Sequence, residues 1–172
     1  MHGTTTDNEQ HLATGWLPGK LSALGRKQAV ELGEHIAGQR FDAIFCSDLQ
    51  RAVESAKLMF GASADIIQDK RLREANYGDM NGKSKAVKDS MMVACIDHPF
   101  PNGESYHDVE NRLASFCKFL KDNYAEKHVA IVAHEAPQLA LDVIAKRKTW
   151  PQAMAEDWRK TKAFRPGWEY TI

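Results

Sequence analysis

Short apolar runs alternate along this chain with longer segments of helical periodicity, and this alternation restricts the possible folds more than any other feature. The runs FDAIFC and HVAIVA predict strands over residues 41–46 and 128–133, and a shorter run predicts one over 65–67. HVAIVA has almost no polar interruption, which predicts burial on both faces. Strands that alternate with helices predict an α/β fold, a three-layer α/β/α sandwich with a mostly parallel sheet.

Serine or threonine stands at positions typical of helix N-caps. The predicted helices run over residues 22–39, 47–60 and 136–146, and two more begin at Ser105 and Thr149. Ser105 with Asp108 forms a capping-box pattern. Residues 1–20 and 68–83 are polar and predict loops, residues 84–103 favour no single structure, and residues 167–172 predict an edge strand.

The composition argues against several classes of protein. Lys and Arg number 23 and Asp and Glu number 23, so the formal net charge is zero, which argues against a nucleic-acid-binding protein. No apolar stretch is long enough to span a bilayer, so no membrane association is expected. A length of 172 residues predicts one domain over residues 1–172. The three widely spaced cysteines, Cys46, Cys95 and Cys117, predict free thiols and a reducing, cytoplasmic location.

Two residues that follow predicted strands are candidates for chemistry, because ligands of open α/β sheets bind at the carboxyl ends of the strands. Arg51 falls in the first turn of the helix after FDAIFC, where a guanidinium beside free N–H groups suits an oxyanion such as phosphate. His134 directly follows HVAIVA. The alternatives are a surface arginine on a helix and a histidine that caps a helix or bonds inside the core.

The spacing of other residues does not support a metal or a nucleotide site. A zinc-protease motif needs a second histidine four residues after His134, where the chain has Gln138, and no His/Cys pair has zinc-finger spacing. Residues 15–20 and 78–84 resemble a phosphate-binding P-loop, but each is one residue short. We therefore predict no metal and no nucleoside triphosphate.

Six short motifs occur in an order that matches one known family. They are Met1-His2-Gly3-Thr4-Thr5 with Asn8; Thr14-Gly15 with Leu21-Ser22-x-x-Gly25-x-x-Gln28-Ala29; Ser47-Asp48-Leu49-x-Arg51-Ala52; Leu72-x-Glu74 with Gly78 and Gly82; Pro101-x-Gly103-Glu104-Ser105 with Arg112; and His134 after its strand. Each motif alone is weak, but the ordered set resembles the histidine phosphatase superfamily, also called the phosphoglycerate-mutase-like family. The resemblance covers most of the chain.

The resemblance implies a site for phosphoryl transfer. His2 would be the nucleophile that forms a phosphohistidine. Glu74 would protonate the leaving group and later deprotonate the attacking water. Arg51 and His134 would hold the phosphoryl oxygens. The phosphate- and substrate-binding residues implied by the motifs are Thr5, Asn8, Gly15 and Lys85, and the family's mechanism uses neither a metal nor a cofactor.

Two departures from the family pattern bear on activity. Met1 stands where the signature R-H-G has arginine, and the apolar strand that leads into that motif is absent from the sequence. Either the chain starts internally, or it is a degenerate member with weak or no activity. Glu135 is the second departure, a carboxylate beside His134 where the family usually has glycine. An uncovered sheet interior also allows another chain's segment to fill it, giving a homodimer.

From this resemblance we predict a hydrolase for a small phosphomonoester. The alternatives are a phosphoglycerate-mutase-type phosphotransferase and a pseudo-phosphatase that binds phosphorylated ligands. Mutases of the family have arginine at the position of Ala75 and more arginines in the insertion that follows, whereas residues 86–101 contain none. We expect activity to fall in acid as His2 is protonated and in alkali as Glu74 loses its proton.

Overall fold

Three parallel strands form the sheet of this protein. The computed structural model describes residues 1–161 and 167–172. The strands are β1 (Ala43–Cys46), β2 (Ile66–Gln68) and β3 (Val129–Val132), in the order β2-β1-β3. Both pairings with β1 are parallel, so the chain crosses over through helices between the strands. The predicted α/β fold with a parallel sheet is confirmed.

Eight α-helices surround the sheet in the described part of the chain. They are α1 (Thr6–Glu9), α2 (Ala23–Ile36), α3 (Gln50–Phe60), α4 (Lys85–Met91), α5 (Tyr106–Asn123), α6 (Glu135–Lys146), α7 (Trp150–Ala155) and α8 (Trp158–Thr161). Short 3-10 helices lie at Lys70–Leu72, Gly78–Met80 and Ala94–Ile96. None of the described helices is long and apolar enough to cross a bilayer.

The two faces of the sheet contribute to two apolar cores, because successive side chains of a strand point to opposite faces. Phe45 of β1 lies in the larger core with α5 and α6. Its neighbour Cys46 lies in the smaller core with Ala56 of α3. Cys46, Cys95 and Cys117 are buried free thiols, and burial raises the pKa of Cys46 to about 11.

The predicted helix caps are present at three positions. The Ser22 hydroxyl accepts a hydrogen bond from the Gly25 N–H, and capping boxes begin α5 at Ser105 and α7 at Thr149. Side-chain oxygens at these positions satisfy N–H groups that the first helical turn leaves without partners.

Four local predictions from the sequence are wrong. Residues 1–20, predicted as a loop, contain the short helix α1. Residues 84–103, for which the sequence favoured no single structure and which are not among the four, contain α4 and a 3-10 helix. The helix α3 begins at Gln50, because the Ser47 hydroxyl accepts from the Leu49 N–H in the turn before the helix. Residues 167–172 form no strand, and β3 is not evenly buried: Val129 and Ile131 are only half-buried because they line an open groove.

Candidate active site

Three of the candidate residues meet at the carboxyl ends of β1 and β3. Arg51 lies in the first turn of α3, which follows β1, and His134 is the residue before α6, which follows β3. The His2 N–H donates to the Ala133 carbonyl at 3.1 Å, which holds the first residues of the chain against the end of β3. The His2 and His134 ring centroids are 4.9 Å apart, and Arg51 Nε lies 3.4 Å from His2 Nε2.

The hydrogen bonds of His2 determine its tautomer. His2 Nδ1 lies 2.7 Å from the Gly3 carbonyl oxygen, and a carbonyl can only accept, so Nδ1 carries the proton. Nε2 of the neutral ring is therefore unprotonated, and its lone pair accepts a hydrogen bond from Arg51 Nε at 3.4 Å. A neutral imidazole with an unprotonated Nε2 beside a cation is suited to attack an electrophilic phosphorus.

Both histidines are held in their neutral forms. Burial and the nearby Arg51 guanidinium lower the pKa of His2 to about 3. Burial, with the same guanidinium, also holds the pKa of His134 well below its usual range. His134 is fully buried, and neither ring nitrogen has a hydrogen-bond partner within the described residues. The described residues therefore leave the hydrogen-bonding capacity of both nitrogens unused.

Acid should destabilise the fold through these histidines. Between about pH 6.5 and the lowered folded-state value, the unfolded chain binds a proton at His134 that the folded chain does not. The free energy of unfolding should therefore fall as the pH drops below about 6.5, by about 1.4 kcal/mol per pH unit for each such histidine. Urea unfolding at several pH values measures this slope. The variant His134→Gln cannot titrate and should show a shallower slope, whereas equal slopes would contradict the assignment.

Arg51 is anchored in a fixed orientation by backbone carbonyls. Its Nη2 donates to the Gly15 carbonyl at 2.7 Å and its Nη1 to the Leu17 carbonyl at 3.2 Å. The residue is almost fully buried. Burial lowers the pKa of its guanidinium, while the Glu74 carboxylate acts in the opposite direction. Arginine stays protonated in proteins, so Arg51 places a buried positive charge beside His2.

Gly15 positions Arg51 through its carbonyl, and its own backbone requires glycine. Its φ is +52°, and a Cβ there would lie 1.8 Å from Asn81 Oδ1. That oxygen is already bonded to the Tyr77 N–H, so it is not free to move away. The sequence predicted Gly15 as a residue that binds substrate, and the structure adds this positioning contact.

The variant Gly15→Ala should lose both stability and activity. We expect a decrease of about 1–3 kcal/mol in the free energy of unfolding, from the unfavourable φ and the clash with Asn81. Activity should fall as well, because the carbonyl that orients Arg51 must shift. Gly38→Ala is the matched control, since a Cβ there meets nothing within 4 Å. Equal melting temperatures for the two variants would contradict this role of Gly15.

Glu74 is connected to His134 through the start of α6. Its Oε1 accepts from the Ala75 and Ala136 N–H groups, and its Oε2 accepts from the Glu135 N–H, at 2.9–3.1 Å. Two of these donors belong to the first turn of α6, where N–H groups have no partner inside the helix. The carboxyl group is buried and held beside the residue that follows His134.

The loop that carries Glu74 is fixed by Arg112 and Trp16. Arg112 donates to the Arg71, Arg73 and Glu74 carbonyls and pairs with the Glu104 carboxylate at 3.0 Å. The Trp16 indole N–H donates to the Glu74 carbonyl at 2.6 Å. The motif that contains Glu104 and Arg112 thus supports the loop rather than lining the site.

A small cavity of about 50 Å³ opens between these groups. Six of the eight residues selected from the sequence line it, namely His2, Asn8, Gly15, Arg51, Glu74 and Lys85. The His134 ring packs against His2, and neither His134 nor Thr5 is among the residues that line the cavity. Among the described residues, no group of three His, Cys, Asp or Glu side chains is arranged to hold a metal ion.

A family model for the histidine phosphatase superfamily (branch 1) matches residues 2–166. The chain belongs to this superfamily. It is 30% identical over 154 residues to fructose-2,6-bisphosphatase TIGAR B of Danio rerio, covering 84% of this chain and 60% of that protein. It is 37% identical over 92 residues to phosphoglycerate mutase 1 of Saccharomyces cerevisiae, covering 49% of this chain and 37% of that protein.

Solved structures of the superfamily share the fold. A mycobacterial glucosyl-3-phosphoglycerate phosphatase, solved with VO3, superposes with a TM-score of 0.75 at 30% identity. The match covers 88% of this chain and 83% of that one.

Thr5 and Asn8 bond to each other in this superfamily member. The Thr5 hydroxyl accepts from the Asn8 N–H, and Asn8 Oδ1 accepts from the Thr5 N–H, which together form the capping box of α1. The Asn8 amide oxygen is used in this capping box, so its NH₂ group is the part that can bind a ligand in the cavity. Thr5 is fully buried and does not line the cavity. The resemblance implied that Thr5 contacts the phosphate. In this structure the Thr5 hydroxyl instead caps α1.

Three further residues of the site were not among the eight selected from the sequence, although Glu135 was noted there as a carboxylate beside His134. Tyr77, Lys88 and Glu135 line the cavity, and Lys88 is almost fully buried. Burial acts to lower the pKa of Lys88, but the Glu135 and Asp89 carboxylates raise it above its ordinary value. Lys85 also pairs with Asp89, at 2.5 Å. Lys88 follows Lys85 by three residues on the short helix α4, and this spacing alone is a weak sequence signal. Only the fold shows that Lys88 is buried at the cavity.

Arg159 brings a second guanidinium close to the start of the chain. Its Nη2 contacts the Met1 sulfur, and its Nη1 is held by the Asp157 carboxylate at 2.6 Å. Its charge also contributes to the lowered pKa of His2. The residue therefore supplies positive charge near position 1, where the superfamily signature carries arginine. No sequence pattern marks Arg159 for this position.

Proposed function

We propose that this protein hydrolyses phosphomonoesters through a phosphohistidine on His2. The observation that carries the proposal is the tautomer of His2, whose unprotonated Nε2 faces Arg51. The membership in the histidine phosphatase superfamily and the likeness to named phosphatases support it. The cation, the nucleophile and the proton donor that phosphoryl transfer requires are all present around one cavity.

In the first step, the substrate phosphoryl group takes the place of the Arg51–His2 bond. Its oxygens accept from the Arg51 guanidinium, the Asn8 amide and the His134 ring. His2 Nε2 forms a bond to phosphorus, the phosphorus–oxygen ester bond breaks, and Glu74 in its carboxylic acid form gives its proton to the departing alkoxide. The free alcohol leaves, with the phosphoryl group on His2.

In the second step, the Glu74 carboxylate accepts a proton from a water molecule. The water oxygen bonds to phosphorus, the nitrogen–phosphorus bond breaks, and inorganic phosphate and neutral His2 are regenerated. The bonds from the start of α6 keep Glu74 in place through both steps, although Glu74 must release one of them when it carries the proton.

We propose a small phosphorylated metabolite as substrate. The cavity beside His2 holds only about 50 Å³ and is lined by Lys85, Lys88 and Glu135 beyond the nucleophile. Two lysines suit a substrate with a second anionic group. The buried free thiols support a reducing, cytoplasmic location.

Two other functions are alternatives to hydrolysis, and each predicts a different fate of the phosphoryl group. The likeness to yeast phosphoglycerate mutase 1 favours a phosphotransferase, which would pass the phosphoryl group to a second phosphorylated acid rather than to water. Met1 in place of the signature arginine favours a pseudo-phosphatase, which would bind phosphorylated ligands without turnover.

Trapping the intermediate tests the proposal. The protein is mixed with p-nitrophenyl phosphate, quenched in alkali within the first turnovers and digested. We expect the mass of one phosphoryl group on the peptide that contains His2, together with steady release of inorganic phosphate. Label on His2 that leaves only in the presence of 3-phosphoglycerate would favour the mutase. Ligand binding with no label and no phosphate release would overturn the proposal in favour of the pseudo-phosphatase.

A further inference from the structure

Glu135 is a carboxylate of the active-site cavity to which the two steps of the proposed reaction assign no role. It lines the cavity together with His2 and Glu74. Its backbone N–H donates to Glu74 Oε2 at 3.1 Å, so the two acidic residues are neighbours in space. The superfamily usually has glycine at this position, so any role of the side chain goes beyond the family's motifs.

The Glu135 carboxylate has unused capacity to accept hydrogen bonds. Within the described part of the chain, no group donates a hydrogen bond to it. Its oxygens are not among the enclosed side-chain atoms that lack a partner, so they reach the open space beside the site. A half-buried carboxylate that has several lone pairs and no donor is suited to bind a molecule that brings donors.

Nearby cations keep Glu135 in its ionised form. Burial acts to raise its pKa, but the Lys88, Arg159 and Lys85 charges lower the pKa below its ordinary value. The two lysines form their ion pairs with Asp89, at 2.5 Å from Lys85 and 2.6 Å from Lys88. Glu135 is therefore an anion that cations stabilise without bonding to it, and its oxygens stay free to accept.

A water molecule is the donor that the second step of the reaction requires at this place. The water replaces the alcohol that Glu74 protonated, so it attacks beside Glu74 and opposite His2 Nε2. Glu74 takes one of the two water protons. The other proton needs an acceptor if the lone pair of the water oxygen is to point at phosphorus. The cavity of about 50 Å³ is small enough to keep such a water near both carboxylates.

Other polar groups of the cavity are poorly suited to accept from this water. Arg51, Lys85 and Lys88 carry only donors. The Asn8 amide oxygen already accepts from a backbone N–H in the capping box of α1. Among the described residues that line the cavity, Glu135 is the only carboxylate besides Glu74.

We propose that Glu135 positions the water that hydrolyses the phosphohistidine. Its carboxylate accepts a hydrogen bond from one water proton while Glu74 takes the other proton. The oxygen–phosphorus bond forms, the nitrogen–phosphorus bond to His2 breaks, and the proton that faces Glu135 stays on the product phosphate. Glu135 itself gains no proton. The inference rests on the proposed function and concerns only its second step.

Quench-flow measurements of the phosphohistidine test this role. Each protein is mixed with saturating radiolabelled p-nitrophenyl phosphate, and a chase of unlabelled substrate follows. Glu135→Ala should label His2 at a rate within about twofold of the parent chain, because the first step uses no water. The label should decay at least about tenfold more slowly, because a hydrogen bond to a charged group is lost. Glu135→Gln retains an acceptor oxygen, so its decay rate should be intermediate.

Glu31→Ala is the matched control, because Glu31 is exposed on α2 and pairs with Lys27. Both of its rates should equal those of the parent chain. Equal decay rates in Glu135→Ala and the control would overturn the inference and leave the proposed function intact. So would a formation and a decay slowed by the same factor, since that result indicates general damage to the site. Absence of label on His2 in the parent chain would overturn the proposed function and this inference with it.

Discussion

Replacing His2 with alanine should abolish hydrolysis of p-nitrophenyl phosphate, with a loss of at least about 1,000-fold in kcat. The expected loss is large because no other group near the cavity can take over the role. His134 is the nearest imidazole, but it is fully buried and is not among the residues that line the cavity. The initial rate of p-nitrophenol release measures the effect.

His98→Ala is the matched control, because His98 is exposed and lies outside the cavity. Its rate should equal that of the parent chain. A His2→Ala protein that is folded by circular dichroism and retains a comparable rate would show that another residue is the nucleophile. Both variants should keep the strands and helices, since the His2 side chain bonds only to Gly3 and Arg51 in the described structure.

Replacing Arg51 with alanine should reduce kcat by about 100- to 1,000-fold, the usual effect of removing one charged group that stabilises a developing oxyanion. It should also lower the free energy of unfolding by about 1–3 kcal/mol, because the Gly15 and Leu17 carbonyls lose a buried donor. Steady-state kinetics and urea unfolding measure the two effects on the same protein.

Arg51→Lys separates charge from geometry. Lysine retains the positive charge but cannot reach two carbonyls and His2 with one planar group, so we expect an intermediate loss in kcat. Arg26→Ala is the control, since Arg26 is an exposed residue that pairs with Glu54 on the helix surface. If Arg51→Ala were as active as Arg26→Ala, the proposed role of Arg51 would be wrong.

Local patterns predicted the parts of the fold that depend on neighbouring residues. The apolar runs predicted β1 and β3, and the serine caps predicted where α2 and α5 begin. Side-chain caps and hydrophobic periodicity act over three or four residues, so a sequence displays them directly. The start of α3 was misplaced because Ser47 bonds to a turn instead of capping the helix.

Only part of the candidate site could be predicted from the sequence. Arg51 and His134 follow predicted strands, and parallel strands bring such residues to one edge of the sheet. His2 and Glu74 were selected only by resemblance to the family. Their setting could not be predicted, because the tautomer of His2 depends on a bond to Gly3 and the position of Glu74 depends on N–H groups of a helix 61 and 62 residues away.

The sequence by itself determined the alternation of strands and helices, the caps and the order of the family's motifs. Only the tertiary structure decided which groups surround His2. The Gly15 carbonyl bonds to Arg51, which is 36 residues away in the sequence, and Arg159 contacts Met1, which is 158 residues away. Such contacts depend on how the helices pack against the sheet, and no short-range pattern encodes them. The pairing of β1 with β2 and β3 likewise joins residues that are distant along the chain, so no local pattern encodes it.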